Sequence, residues 1–131
     1  MSKKQRLAIQ FFADKLLSKQ LQRHVDIAVS FITKTQTYGE IGVEDYNSKN
    51  QPRGFKIYVN RKTGADEILK TIAHEMVHLK QYCKKELNEE MSNWKGHRVN
   101  LDTMPYFERP WEIEAHEIGD KIYEEFICQT K

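Results

Sequence analysis

The sequence predicts an α+β fold: an N-terminal helix, a small and mostly antiparallel sheet, then a central helix packed with a C-terminal one. Three observations carry that reading. Apolar residues recur at helical spacing over residues 3–22, 65–84 and 110–128. Three short runs with strand-like alternation fall between the first two of these segments. The chain has 131 residues, 39% of them hydrophobic, with only 6 Gly and 3 Pro, which suffices for a single domain over residues 1–131 without disulfide support.

Taken in order, the first helix gathers Leu7, Ala8, Phe11, Phe12, Leu16, Leu17 and Leu21 on one stripe. Val25 to Phe31 then alternates cleanly, Tyr38 to Tyr46 more weakly, and Gly54 to Val59 follows the turn-rich Asn47 to Pro52. These runs lie close together, so hairpin-like antiparallel pairing is the economical expectation. On the central helix Ile68, Ile72, Met76, Leu79 and Cys83 form an apolar ridge, with Leu69, Ala73 and Val77 beside it. Thr71, His74, Glu75 and His78 occupy a second face, so the helix is expected to be buried with a polar stripe facing a cleft. After the acidic stretch Glu86 to Glu90, residues 93–99 suggest a short strand or hairpin, and residues 105–109 look irregular. Pro110 suits the first turn of a final helix whose stripe is Trp111, Ala115, Ile118, Ile122 and Phe126.

Composition narrows the functional classes. No window approaches the roughly 20 apolar residues that a membrane helix needs. The charged start Met1-Ser2-Lys3-Lys4-Gln5-Arg6 leads into an amphipathic segment rather than the apolar core of a signal peptide, so a cytoplasmic location is expected. Net charge is +2, and the Lys3–Arg6 and Lys84-Lys85 clusters read as solvated faces, so charge alone gives little support to a nucleic-acid partner. Cys83 and Cys128 form no CxxC pair, fall in expected helices and read as buried small apolar residues.

The chemistry lies in His74-Glu75-Met76-Val77-His78. Residues four apart on a helix share a face, so both imidazoles can point at one metal ion. Glu75 sits about 100° around the helix from His74, placed to reach a metal-bound water rather than the metal. A catalytic zinc takes three protein ligands and keeps a fourth position for water. Candidates for the third are His97, Glu112, Glu114, His116 and Glu117. With Trp111 at zero, the apolar stripe of the final helix centres near 40°, Glu112 lies near 100°, His116 near 140° and Glu114 near 300°. Glu112 is thus the carboxylate closest to the buried face, and its place in the first turn favours the ionised form. Gly119, near 80°, would let another helix approach on that side.

His74-Glu-x-x-His78 followed by Glu112-Ile113-Glu114-Ala115 resembles the gluzincin metallopeptidases, in which a glutamate from an E-x-x-A or E-x-x-x-D helix completes the site. The match to E-x-x-A also favours Glu112 over Glu114. Arg109-Pro110-Trp111-Glu112-Ile113-Glu114-Ala115, with Asn93-Trp94-Lys95-Gly96 upstream, is similar to small SprT-like or minigluzincin-type proteins that bacteriophages often encode. The resemblance implies a zincin-like fold, a zinc cofactor, a peptide or protein substrate, and a place in the host cytoplasm or the virion. Two positions depart from these patterns. SprT and Spartan proteases use a third histidine, so a glutamate ligand makes the chain minigluzincin-like and leaves the DNA-linked role, with its nucleic-acid partner, only weakly supported. His116 stands where gluzincins often have Asp or Asn to orient a zinc-bound histidine.

The expected mechanism follows from His74, His78 and Glu112 holding zinc, which would lower the pKa of a bound water to about 7. Glu75 would take a proton as that water attacks a peptide carbonyl and pass it to the leaving amine. Tyr106, His97 and His116 are the candidates for a second donor to the developing oxyanion. Phe55 to Val59 is expected either to rim the cleft as an edge strand or to lie paired inside the sheet. Two other functions compete: a catalytically silent protein stabilised by zinc, such as a phage particle component, and a DNA-associated protease of the SprT kind.

Overall fold

The computed structural model describes residues 1–33 and 37–129. It is α+β, with four α-helices and a small mixed sheet among the described residues. Ser2 starts α1 (Lys3–Leu16): its hydroxyl accepts from the Gln5 N–H while the Gln5 side chain accepts from the Ser2 N–H, a reciprocal cap worth about 1 kcal/mol. The single helix expected over residues 3–22 is two. Leu17 is extended, and Ser18 caps the short α2 (Lys19–Gln22) by accepting from the Leu21 N–H. A serine hydroxyl offers the backbone such a fresh start, and here Gln22 steadies the break by donating to the Ala13 and Leu17 carbonyls.

The three expected strands form as β1 (Asp26–Ile32), β2 (Gly39–Tyr46) and β3 (Pro52–Asn60). Their pairing differs from the mostly antiparallel expectation. The order is β1-β3-β2, with β2 antiparallel to β3 but β1 parallel to it. Burial explains the insertion: Phe55, Ile57 and Val59 are at most 2% exposed, and a strand that apolar is stabilised most in the centre. Asn60 and Arg61 fix the arrangement at one end of β3, where their N–H groups donate to the Tyr38 and Ile32 carbonyls.

At the middle of the fold α3 (Ala65–Cys83) packs against β2, β3, α1 and α4 (Pro110–Gln129). Its apolar ridge meets Phe12 of α1, the inward side chains of β3, and Trp111, Ala115 and Ile122 of α4 in one core. Between α3 and α4 lie the short hairpin of β4 (Asn93–Trp94) and β5 (His97–Arg98) and two 3-10 turns, Leu101–Thr103 and Tyr106–Glu108. Lys95 and Gly96 both have positive φ, as a two-residue hairpin turn requires. Cys83 is buried as expected, but Cys128 is exposed. Cys128 follows the buried Phe126 by two residues, about 200° around the helix, which turns it away from the core. No helix among the described residues is long and apolar enough to cross a membrane.

Candidate metal centre

His74 and His78 stand one turn apart on the polar face of α3, their rings 4.8 Å apart and nearly perpendicular. Glu112 reaches them from the first turn of α4. Its Oε1 lies 3.2 Å from His74 Nε2 and 3.0 Å from His78 Nε2, and the two Nε2 atoms are 3.2 Å apart. Two ligand atoms on a tetrahedral zinc, each about 2.0–2.1 Å from it, are separated by about 3.3 Å. The three atoms thus form a nearly equilateral triangle of the size a metal requires. His74, His78 and Glu112 can hold a metal ion, and they are the one such group among the described residues.

The local electrostatics follow from this convergence. Burial alone would raise the Glu112 carboxyl, but its contacts with both imidazoles hold it well below the ordinary carboxylate range. For His78 burial opposes the charged form, yet Glu112 and the nearby Glu75 raise its pKa above the ordinary imidazole value. Glu75 is 6% exposed, and burial pushes its carboxyl up to about 7 against the pull of His78. A methyl group on Gly39 would lie 3.8 Å from Glu75 Oε2 and only 2.5 Å from Thr71 Cγ2, so the start of β2 closes tightly over this part of α3.

Glu114, the other carboxylate on α4, turns elsewhere. Its Oε1 accepts from Lys80 Nζ at 2.7 Å and from Gln81 Nε2 at 3.1 Å. Glu117 is exposed, and so is His97 on β5, which lies outside the cleft beside the triad. His116 does reach the triad: its ring packs 4.5 Å from that of His74, and its Nε2 lies 3.1 Å from the Tyr106 hydroxyl. Burial and the neighbouring His74 lower the His116 pKa, whereas burial and the Glu112 charge raise that of Tyr106.

Tyr106 and His116 form one wall of a cleft of about 500 Å³ that His74 and Glu75 also line. Gly39, the first residue of β2, and Tyr38 just before it line it as well. Phe55 to Val59 lies inside the sheet, paired on both sides, so the strand beside the cleft is β2 and the alternative of an internal β3 holds. Sequence reasoning missed Gln81. Its Oε1 accepts from His78 Nδ1 at 2.7 Å, and its spacing of three residues from His78 on one helix face was the available signal. No family model, curated protein or solved structure matches this chain.

Proposed function

We propose that this chain is a zinc-dependent peptidase, with His74, His78 and Glu112 as ligands and Glu75 as general base. One observation carries the reading: the three ligand atoms, 3.0–3.2 Å apart, lie beside the buried Glu75 at a cleft open to substrate. Two imidazoles and one carboxylate at tetrahedral spacing favour zinc over the harder cations, which prefer oxygen ligands. A zincin-like arrangement fits the packing of α3 on α4 with an edge strand beside the cleft.

When bound, zinc supplies a Lewis acid that polarises a carbonyl and brings the pKa of water to about 7. Glu75 contributes the proton transfers, accepting a proton from the attacking water and releasing it to the leaving amine. Burial sets its carboxyl near 7, and a cation at the triad would lower that value, keeping the carboxylate ionised and able to accept. Tyr106 stays protonated at neutral pH, so its hydroxyl, 3.1 Å from His116 Nε2, has one proton that it can turn from the cleft wall to an oxyanion.

The edge strand supports a peptide substrate. The Asn60 N–H donates to the Tyr38 carbonyl, so Tyr38 and Asn60 form a hydrogen-bonded rung. The next residue on β2, Gly39, therefore directs its own N–H and C=O away from β3, where an extended chain can add as a further strand.

The test is a set of variants assayed for zinc content and for cleavage of a broad peptide library. Glu75→Gln should keep one zinc per chain and lose cleavage by at least about 100-fold, since it removes the proton acceptor alone. His74→Ala and Glu112→Ala should lose the metal, while Glu114→Gln keeps it. Unchanged cleavage by Glu75→Gln would remove that residue from the mechanism. A wild-type protein that holds zinc and cleaves nothing would instead be a zinc-stabilised binding protein.

A further inference from the structure

We infer that Gln81 and Glu114 are positioning residues of the metal centre, joined in a buried relay that keeps the His78 proton on Nδ1 and presents Nε2 to the metal. The inference rests on the metal reading above and goes beyond it, because neither residue is among the ligands or the base. Gln81 has no exposed surface. Its amide nitrogen meets two acceptors, the Trp111 carbonyl at 3.0 Å and Glu114 Oε1 at 3.1 Å. Neither can donate, so the NH₂ end must face them and the carbonyl end must face His78. That leaves Gln81 Oε1 accepting from His78 Nδ1 at 2.7 Å. A neutral imidazole carries one N–H, so a proton held on Nδ1 leaves the Nε2 lone pair turned to the triad.

The relay is anchored at its far end. Glu114 Oε1 also accepts from Lys80 Nζ at 2.7 Å, Lys80 reaches Glu86 at 2.8 Å, and Lys95 stands 3.9 Å from Glu114 Oε2. Lys80 is itself buried, so its charge is tied to these carboxylates rather than to water. The Glu114 carboxylate in turn locks the Gln81 amide, and Gln81 locks the ring of His78. The sequence lacks an acid four residues after Glu112, where His116 stands, and Gln81 supplies an orienting acceptor from α3 itself.

The experiment measures zinc affinity by chelator competition, together with ring tautomers by ¹⁵N NMR in the metal-free protein. Gln81→Met keeps the volume and removes the acceptor. It should bind zinc about 10–100-fold more weakly, the usual cost of losing an orienting partner, and should shift the metal-free His78 proton toward Nε2. Combining Gln81→Glu with Glu114→Gln keeps an acceptor against Nδ1 and should recover affinity lost in Gln81→Met. A bridge that only ties α3 to α4 would lower the melting temperature without moving the tautomer. A folded Gln81→Met with wild-type tautomer and affinity overturns the inference. If that variant does not fold, Glu114→Leu leaves Gln81 in place, and unchanged affinity and tautomer there overturn it equally. A wild-type protein that takes up no zinc would overturn the metal reading and this role with it, while the His78 tautomer compared between wild type and Gln81→Met would still show whether Gln81 holds the ring proton on Nδ1.

Discussion

Gly119 of α4 stands against the backbone of His74: a methyl group at Gly119 would lie 3.2 Å from His74 Cα and 3.3 Å from its amide nitrogen. Gly119 and Glu112 are seven residues apart, about two helical turns, and so share one face of α4. The close approach that Gly119 permits is therefore the same approach that brings Glu112 to the two histidines. Gly119→Ala should push the helices apart by a few tenths of an ångström, since the obstacle is backbone and cannot rotate away. Overpacking costs about 2 kcal/mol, and the better helix propensity of alanine returns about 1, leaving a net loss near 1 kcal/mol. Urea denaturation should show that loss, and zinc affinity should fall with it. A variant more stable than wild type would mean that α4 can shift without cost.

How much of this was legible in the sequence differs between its parts. The polar stripe of α3 and the face of Glu112 were readable because a helix converts spacing directly into geometry. Gly119 was readable for the same reason. The parallel pairing of β1 with β3 was not, because alternation tells which face of a strand is buried and says nothing of its neighbour. The break at Leu17 was hidden by leucines that continue the apolar stripe, while the decisive signal was the single hydroxyl of Ser18. Gln81, and the contacts of Glu114 with Gln81 and Lys80, were not readable because they depend on how α3 and α4 face each other, which no periodicity within either helix encodes.

The metal-free site should make stability depend on pH in a direction that zinc binding opposes. His78 holds its proton above the ordinary imidazole value, and the Glu75 carboxyl is raised to about 7. Both bind a proton more tightly in the folded chain, so their stabilisation is complete at low pH. It is lost as pH rises through about 7 for Glu75 and through the raised folded value for His78. Glu112 acts in the opposite sense: its lowered pKa stabilises the fold above the ordinary carboxylate range, and that contribution fades as pH falls through its folded value. The metal-free protein should thus be most stable on the acid side of neutrality, above the ordinary carboxylate range. Zinc must displace the imidazole protons, so the stabilisation it adds grows with pH. Melting temperatures from about pH 5 to about pH 8 should fall without metal, and the gap to the zinc-saturated protein should widen. A constant gap would show that zinc displaces no protons.

The two cysteines should separate cleanly by reactivity. Cys83 is buried beneath β3, with its Sγ 4.0 Å from the Pro52 carbonyl, and burial pushes its thiol up to about 11. Cys128 is exposed near the end of α4. The thiolate is the reacting form, so at about pH 8 iodoacetamide should add one group to the native chain, at Cys128. Denaturant should release the second site. Mass spectrometry with peptide mapping checks both statements, and rapid native labelling of Cys83 would show that the end of α3 opens readily.

The end of α3 also offers a stabilising change that leaves the metal centre alone. After Cys83 the chain turns at Lys85, whose φ of 58° is left-handed. The Lys85 N–H donates to the Tyr82 carbonyl at 3.1 Å, and the Glu86 N–H to the Gln81 carbonyl at 2.8 Å. This is the paired C-terminal cap that glycine usually occupies. A side chain there costs about 1–2 kcal/mol, and the greater freedom of an unfolded glycine takes back about 0.5–1. Lys85→Gly should therefore stabilise the fold by about 0.5–1 kcal/mol, seen as a higher urea midpoint with an unchanged slope. Zinc affinity should stay at the wild-type value, because the cap keeps Gln81 where its side chain meets His78. A fall in affinity would show that Lys85 helps set the end of α3 on which Gln81 depends.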